Sequence, residues 1–222
     1  MKPALNARQT MRRGAFALGA FALVTAGSVG AIRALTAERI DTNVQVYQHQ
    51  QLQKVLPPAL ENIAIERILT GAFNLPDAQE LGHRQPTQGF VIYHPDTSVV
   101  VLPVVTREGY NGEIRLWVGI NRSGQITGVR VSEHQETPGL GDKIERRRSD
   151  WITDFNGLSL NSLPAQGWAV KKEGGQFEAF TGATITPRAV IGAVYQALVY
   201  ARQTAWPHLH ENTPIRQQDV TP

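Results

Sequence analysis

Residues 14–32 (GAFALGAFALVTAGSVGAI) carry no charged side chain, and this run limits the chain's options more than any other feature. A helix rises about 1.5 Å per residue, so a run of this length reaches roughly across the hydrocarbon core of a bilayer. Gly14, Gly19, Gly27 and Gly30 make it a weak hydrophobe. Lys2, Arg8, Arg12 and Arg13 precede it, whereas Arg33, Glu38 and Arg39 after it are mixed in sign. The positive-inside asymmetry then predicts a cytoplasmic amino terminus over 1–13, a single-pass anchor over 14–32 in the inner membrane, and the remainder on the periplasmic side. A cleaved signal peptide is the alternative: Ala26 and Ala31 suit a peptidase, and Arg12-Arg13 resembles a twin-arginine signal. The length of the run favours the retained anchor, and both readings deliver the same compartment.

The chain has 222 residues, 41% of them hydrophobic, which suffices for one ordinary domain with appendages. Its formal charge is +3. With the basic residues ahead of the anchor set aside, the rest is close to neutral. A nucleic-acid footprint would need a basic cluster with interleaved aromatics. Arg146-Arg147-Arg148 is the one such run, and it reads as a solvated helix face. There is no cysteine, which excludes cysteine-ligated iron–sulfur clusters, c-type haem attachment, thiol catalysis and disulfides. The six histidines show no metal-ligand spacing. A redox role would therefore rest on an organic cofactor.

Residues 33–97 read as a helical and loop-rich connecting segment. Val44, Tyr47, Val55, Leu56, Leu60 and Ile63 recur at irregular helical spacing, and Pro57-Pro58 breaks the helix. A second short helix then ends near Gly71. Residues 72–97 look like loop, with one short strand over 90–93. The β-branched run 99–105 reads as a buried strand. The runs 114–120 and 126–131, joined by the polar residues 121–125 with Gly124 late in the turn, form a hairpin. A further short strand is expected over 168–171. Thr186-Pro187 has the form of a hydroxyl N-cap followed by proline at the first helical position. Val190, Ile191, Val194, Leu198 and Val199 then mark a helix over 188–203. The expected fold is α+β: an antiparallel sheet with flanking helices over 98–206, followed by a polar tail over 207–222.

Two glycine-containing segments could carry chemistry. In 134–142 (HQETPGLGD), Pro138-Gly139 forces a turn, and Gly139 and Gly141 let a planar ligand or a phosphate approach the backbone. On local physics alone this is equally an ordinary turn between strand and helix. In 180–187 (FTGATITP), small residues leave the Thr184 hydroxyl open just ahead of a helix N-terminus, where free N–H groups and the helix dipole favour an anion. Taken alone, that too is served by a capped helix with a tight approach turn.

Together and in this order, the segments resemble the FMN-binding domain of respiratory flavoproteins. They are most similar to the G subunits of Rnf-type (Rsx) ion-translocating electron-transport complexes. Similarity extends through 109–114 (GYNGEI), the strand pair to Val131, 134–145 (HQETPGLGDKIE), 149–152 (SDWI) and 180–187, and with the anchor covers nearly the whole chain. The resemblance implies FMN attached through its phosphate to Thr184, within the tetrapeptide Thr181-Gly182-Ala183-Thr184. A flavin transferase would install it outside the cytoplasm. Glu178 stands where the transferase motif usually carries aspartate. Thr137, Gly139 and Leu140 would touch the flavin ring, with Glu136 and Lys171 or Lys172 as further contacts. The chain would pass electrons among other membrane subunits, linking ferredoxin and nicotinamide pools to ion movement, with no substrate chemistry of its own. A regulatory FMN-binding membrane module, and the C subunit of a sodium-pumping quinone reductase, are the alternatives within the same resemblance.

Overall fold

The computed structural model describes residues 7–60, 63–95 and 97–212, without the side chains of 7–10, 34, 37–51, 211 and 212. The chain divides into two compact units, Met1–Tyr47 and Gln48–Pro222.

In the first unit a single helix, α1 (Ala7–Gln53), begins and runs on into the second. Its stretch Met11–Arg33 is 23 residues long and apolar enough to cross a membrane, and none of it is buried by protein. Phe16, Leu18, Phe21 and Leu23 are each at least 70% exposed. A soluble surface rarely presents so much contiguous apolar area, whereas lipid would cover it. Val44 and Tyr47 of the expected amphipathic stripe lie outside the described side chains.

The second unit is built on one antiparallel sheet in the order β1-β2-β3-β4-β5. The strands are β1 (Ala72–Asn74), β2 (Gln88–Ile92), β3 (Val99–Gly109), β4 (Gly112–Asn121) and β5 (Ile126–Glu133). Val100, Leu102 and Val104 of β3 join the main core on one face, while Val99 and Val101 join a smaller core on the other. Successive side chains alternate across a sheet, so a strand covered on both faces reads as a continuous apolar run. The β4–β5 hairpin closes as expected: Gly124 takes φ +79°, and the Asn121 side chain accepts the Gln125 N–H at 2.9 Å.

On the main-core face lies α3 (Ile185–Tyr200), packed along β3. Beside it, Trp151, Phe155, Trp168, Phe177 and Phe180 form an aromatic cluster with ring centroids 4.5–6.4 Å apart. The opposite face is covered by the end of α1, the break at Pro57-Pro58 and α2 (Ile65–Leu69). Gly119 and Gly128 make this covering possible. A Cβ on Gly119 would lie 2.4 Å from the Val55 carbonyl oxygen, and one on Gly128 would lie 2.8 Å from Val55 Cα. Thr127 Oγ1 donates to that same carbonyl at 2.6 Å.

Several local expectations differ from the structure. Residues 72–97 are loop-rich with the expected short strand, β2, and they add a second, β1, whose three half-exposed residues lack a sustained apolar pattern. Residues 168–171 form no strand. Val170 makes one isolated bridge to Phe177, and Lys171–Glu173 is a 3₁₀ turn. Trp168 and Val170 are apolar because they enter the core, not because they pair in the sheet. Arg146-Arg147-Arg148 lies on a turn rather than a helix, with ion pairs to Asp150, Glu145 and Asp142 respectively. The carboxyl-terminal helix extends past Gln203: after α3 come a π-helical segment Ala201–Ala205 and α4 (Trp206–Asn212). Leu209 is buried, so residues 207–212 are not a frayed tail. Residues 213–222 lie outside the described part.

Candidate functional site

Three turns meet at the amino-terminal end of α3. The first is the two-residue connection Tyr110-Asn111 between β3 and β4, where Gly109 pairs with Gly112. Gly112 has φ +113°, a conformation that L side chains avoid. The second follows β5. Leu140 N–H donates to the Thr137 carbonyl at 3.1 Å, with Pro138 at the second position and Gly139 (φ +79°) at the third, the pattern of a type II turn. The third is its counterpart at 180–183. Ala183 N–H donates to the Phe180 carbonyl at 3.1 Å, and Gly182 takes φ +83°. Leu140 faces Gly182 across the gap: a Cβ on Gly182 would sit 3.2 Å from Leu140 Cδ2.

A buried carboxylate ties the three turns together. Glu136 is 4% exposed. Its Oε1 accepts the Asn111 N–H at 3.0 Å, and its Oε2 accepts the Thr186 hydroxyl, itself fully buried. Gly141 must be glycine for this contact to form, since a Cβ there would lie 2.9 Å from both Glu136 Oε2 and Thr186 Oγ1. Asn111 Nδ2 adds a bond to Thr137 Oγ1 at 3.2 Å. Below them, Asp142 Oδ1 accepts the Gly139 N–H at 2.8 Å. His134 Nδ1 accepts the Glu136 N–H at 3.0 Å, so its Nε2 carries the proton given to Glu145 at 2.7 Å. The Arg147 hydrogen bond, followed by that of His134, holds the Glu145 carboxyl below its ordinary range against the opposing effect of burial.

The expected cap is therefore misassigned. Thr186 does not cap α3; its hydroxyl is spent on Glu136. The helix begins at Ile185, Thr184 stands at the N-cap position in αR conformation, and its side chain makes no capping bond. Pro187 is the third helical residue rather than the first. The buried carboxylate is the stronger acceptor for Thr186, and this leaves Thr184 as the hydroxyl at the helix head.

Between the turns lies a cleft of about 350 Å³, within the range of small-molecule sites. Of the residues singled out in the sequence, Glu136, Thr137, Leu140, Gly182, Ala183 and Thr184 line it. Thr181 and Gly139 belong to the same turns but do not line it. Lys171 stands apart, exposed and ion-paired with Glu178. Tyr110, Gly141, Ile185 and Thr186 complete the lining; of these, only Gly141 was expected from the sequence to admit a ligand. Tyr110, Leu140 and Ile185 are 66%, 41% and 44% exposed and give the mouth an apolar rim. Among the described residues, the N–H groups of Thr184, Ile185 and Thr186 donate to no other group, as the first turn of a helix leaves them. Among the described residues, no lysine or arginine lines the cleft, so a bound anion would face these N–H groups and the helix dipole.

Comparison with known proteins agrees with this geometry. Residues 109–199 match the model of the FMN-binding domain family, and residues 1–55 match that of the RnfG N-terminal region. The G subunit of the ion-translocating oxidoreductase complex of Cronobacter sakazakii is 44% identical over 202 residues, covering 90% of this chain and 94% of that protein. The corresponding G subunit of Shewanella piezotolerans is 40% identical over 195 residues, 87% of this chain and 90% of that protein. Among solved structures, the C subunit of the Na(+)-translocating NADH-quinone reductase of Parabacteroides distasonis shares the fold, with a TM-score of 0.50 and 18% identity over 74% of this chain and 95% of that one. The chain belongs to the family of G subunits of ion-translocating oxidoreductase complexes and carries that family's FMN-binding domain.

Proposed function

We propose that this chain is the FMN-carrying electron-transfer component of a membrane-bound ion-translocating oxidoreductase, with FMN esterified through its phosphate to Thr184. The observation that carries this reading is Thr184 itself. It lines the cleft, stands at the head of α3, and makes no capping bond. A phosphoester there would lie beside three N–H donors left over by the helix, with no counter-cation required. The cleft has the size and the apolar rim that a tricyclic ring needs. The positive-φ glycines 139 and 182 keep the two turns low enough to admit it.

Within this reading, each residue has a distinct role. Glu136 holds the turns at fixed spacing rather than reacting, since both of its oxygens are engaged. Thr137 and Leu140 form one wall, and Gly182 and Ala183 the other. Gly139 shapes the first wall and Thr181 the approach to the second. Lys171 could reach the ring only by leaving Glu178, which would place a cation near it. Glu178 and Thr181 are exposed, as residues read by a flavin transferase must be. Bound FMN supplies one- and two-electron chemistry that no side chain offers. Charge asymmetry about the anchor supports a domain on the periplasmic side of the inner membrane, where it would exchange electrons with neighbouring subunits linking ferredoxin and nicotinamide pools to ion movement.

The test is made in membranes. Thr184→Ala should leave the protein in place, judged by co-purification with its partners, and abolish electron flow through the complex. Undiminished flow with Thr184→Ala would reject the carrier role.

A further inference from the structure

A second cavity, of about 230 Å³, lies at the other end of α3. From Ile185 to Leu198 the helix rises roughly 20 Å, so this cavity is separate from the cleft. Its floor is the β4–β5 turn with Arg122. One wall is the segment carrying Leu160 and Asn161, and the other is the carboxyl-terminal helical run with Leu198, Arg202, Trp206 and His210. We propose that it binds a small oxyanion, a carboxylate or phosphate borne on a compact apolar body, between Arg122 and Arg202.

The charge is unbalanced. Among the described residues, no aspartate or glutamate lines the cavity and neither guanidinium has a carboxylate partner. Arg122 instead donates from its terminal nitrogen to His210 Nε2 at 2.8 Å. An imidazole accepting that bond is neutral there, so it orients the guanidinium without cancelling its charge. The hydrogen bonding is unbalanced in the same sense. The Trp206 indole N–H is buried and finds no acceptor among the described residues, and a buried donor left unpaired costs roughly 1–3 kcal/mol. The two guanidiniums make a donor-rich wall, and guanidinium forks match carboxylate and phosphate oxygens in particular.

The backbone supports the same assignment. The π-helical segment Ala201–Ala205 interrupts the helix between α3 and α4, an irregularity that is frequent at functional sites. It sits where Ala201, Arg202 and Trp206 all reach the cavity. Leu160, Leu198 and Ala201 give the remaining wall an apolar surface, which selects an oxyanion with a small hydrophobic body over a fully hydrated ion.

The test is a titration of the full-length chain in detergent, labelled with nitrogen-15, against benzoate and against inorganic phosphate at constant ionic strength. The chain has four tryptophans, and Trp206→Phe identifies the indole N–H signal at the cavity. That signal should shift saturably with at least one of the two ions, while the Trp117, Trp151 and Trp168 indoles stay still. The ion that saturates distinguishes a carboxylate from a phosphate source. Arg122→Gln with Arg202→Gln should weaken binding by about tenfold or more, and Asn161→Glu, which places a fixed carboxylate on the wall, should abolish it. The unmoved tryptophan signals show that each variant is folded. A linear response to both ions, or an equal response in the double variant, would overturn the proposal.

Discussion

Replacing Thr186 with valine tests the buried brace behind the cleft. Valine keeps the branched shape and deletes only the hydroxyl, so Glu136 Oε2 loses its donor inside a site where the carboxylate is 4% exposed. A hydrogen bond to a charged group contributes about 1.5–3 kcal/mol. Valine fills the space, so no cavity penalty adds to this. For a body of this size, 1 kcal/mol moves Tm by about 2–4 °C, which gives a fall of about 3–12 °C. Glu136→Ala should cost more, because it orphans the Asn111 N–H and the Thr186 hydroxyl together. In that background the further change Thr186→Val should cost about 0.5 kcal/mol or less, giving a coupling of about 1–3 kcal/mol. Thr186→Ser should restore most of the loss. The assay is thermal unfolding of the full chain in detergent, followed by tryptophan fluorescence, since Trp151 and Trp168 lie in the core. If Thr186→Val shifts Tm by less than about 1 °C, or if the two changes simply add, Glu136 does not hold the turns through Thr186.

Three other perturbations bear on the frame around the site. Gly128→Val drives a branched side chain into the Val55 backbone and should cost about 3 kcal/mol, read from the urea midpoint, with new proteolytic cleavage near Lys54. Glu145 is held below its ordinary pKa of 4.5. Its interactions with Arg147 and His134 therefore stabilise the fold above that pH and are lost as the pH falls below it towards the folded value; Glu145→Gln should flatten acid unfolding in that window. Arg130 is half-buried, with an Nε that has no partner among the described residues, and burial followed by the charge of Arg146 lowers its pKa. Arg130→Met should raise stability by about 1 kcal/mol, seen as a higher Tm.

The sequence revealed most where one physical signal acted alone. The uncharged run 14–32, the hairpin 112–133 and the apolar stripe of α3 each have a periodicity or a turn chemistry that long-range packing did not override. Strand β1 was harder to find, because only three residues pair in it and its neighbour is the short β2, whereas β2 was legible in part, over 90–93. Trp168 and Val170 misled for the opposite reason: strand-like composition there serves an aromatic cluster. At the site, the two glycine turns and Thr184 were legible from local chemistry and resemblance. The role of Glu136 was not, because Asn111 and Thr186 lie 25 and 50 residues away from it. Thr186 had every local mark of a cap, and only the folded chain offers it the better acceptor.

Attachment at Thr184 is the central claim, and a denaturing gel viewed under flavin fluorescence addresses it most directly. The native chain and Thr184→Ala are each exported in cells that make a flavin transferase, and the excised band is weighed by mass spectrometry. The account predicts a fluorescent native band heavier by one FMN less one water, with the added mass on the peptide containing Thr184, and a dark band of unmodified mass for Thr184→Ala. A dark native band despite confirmed export and active transferase, or fluorescence that survives Thr184→Ala, would contradict it.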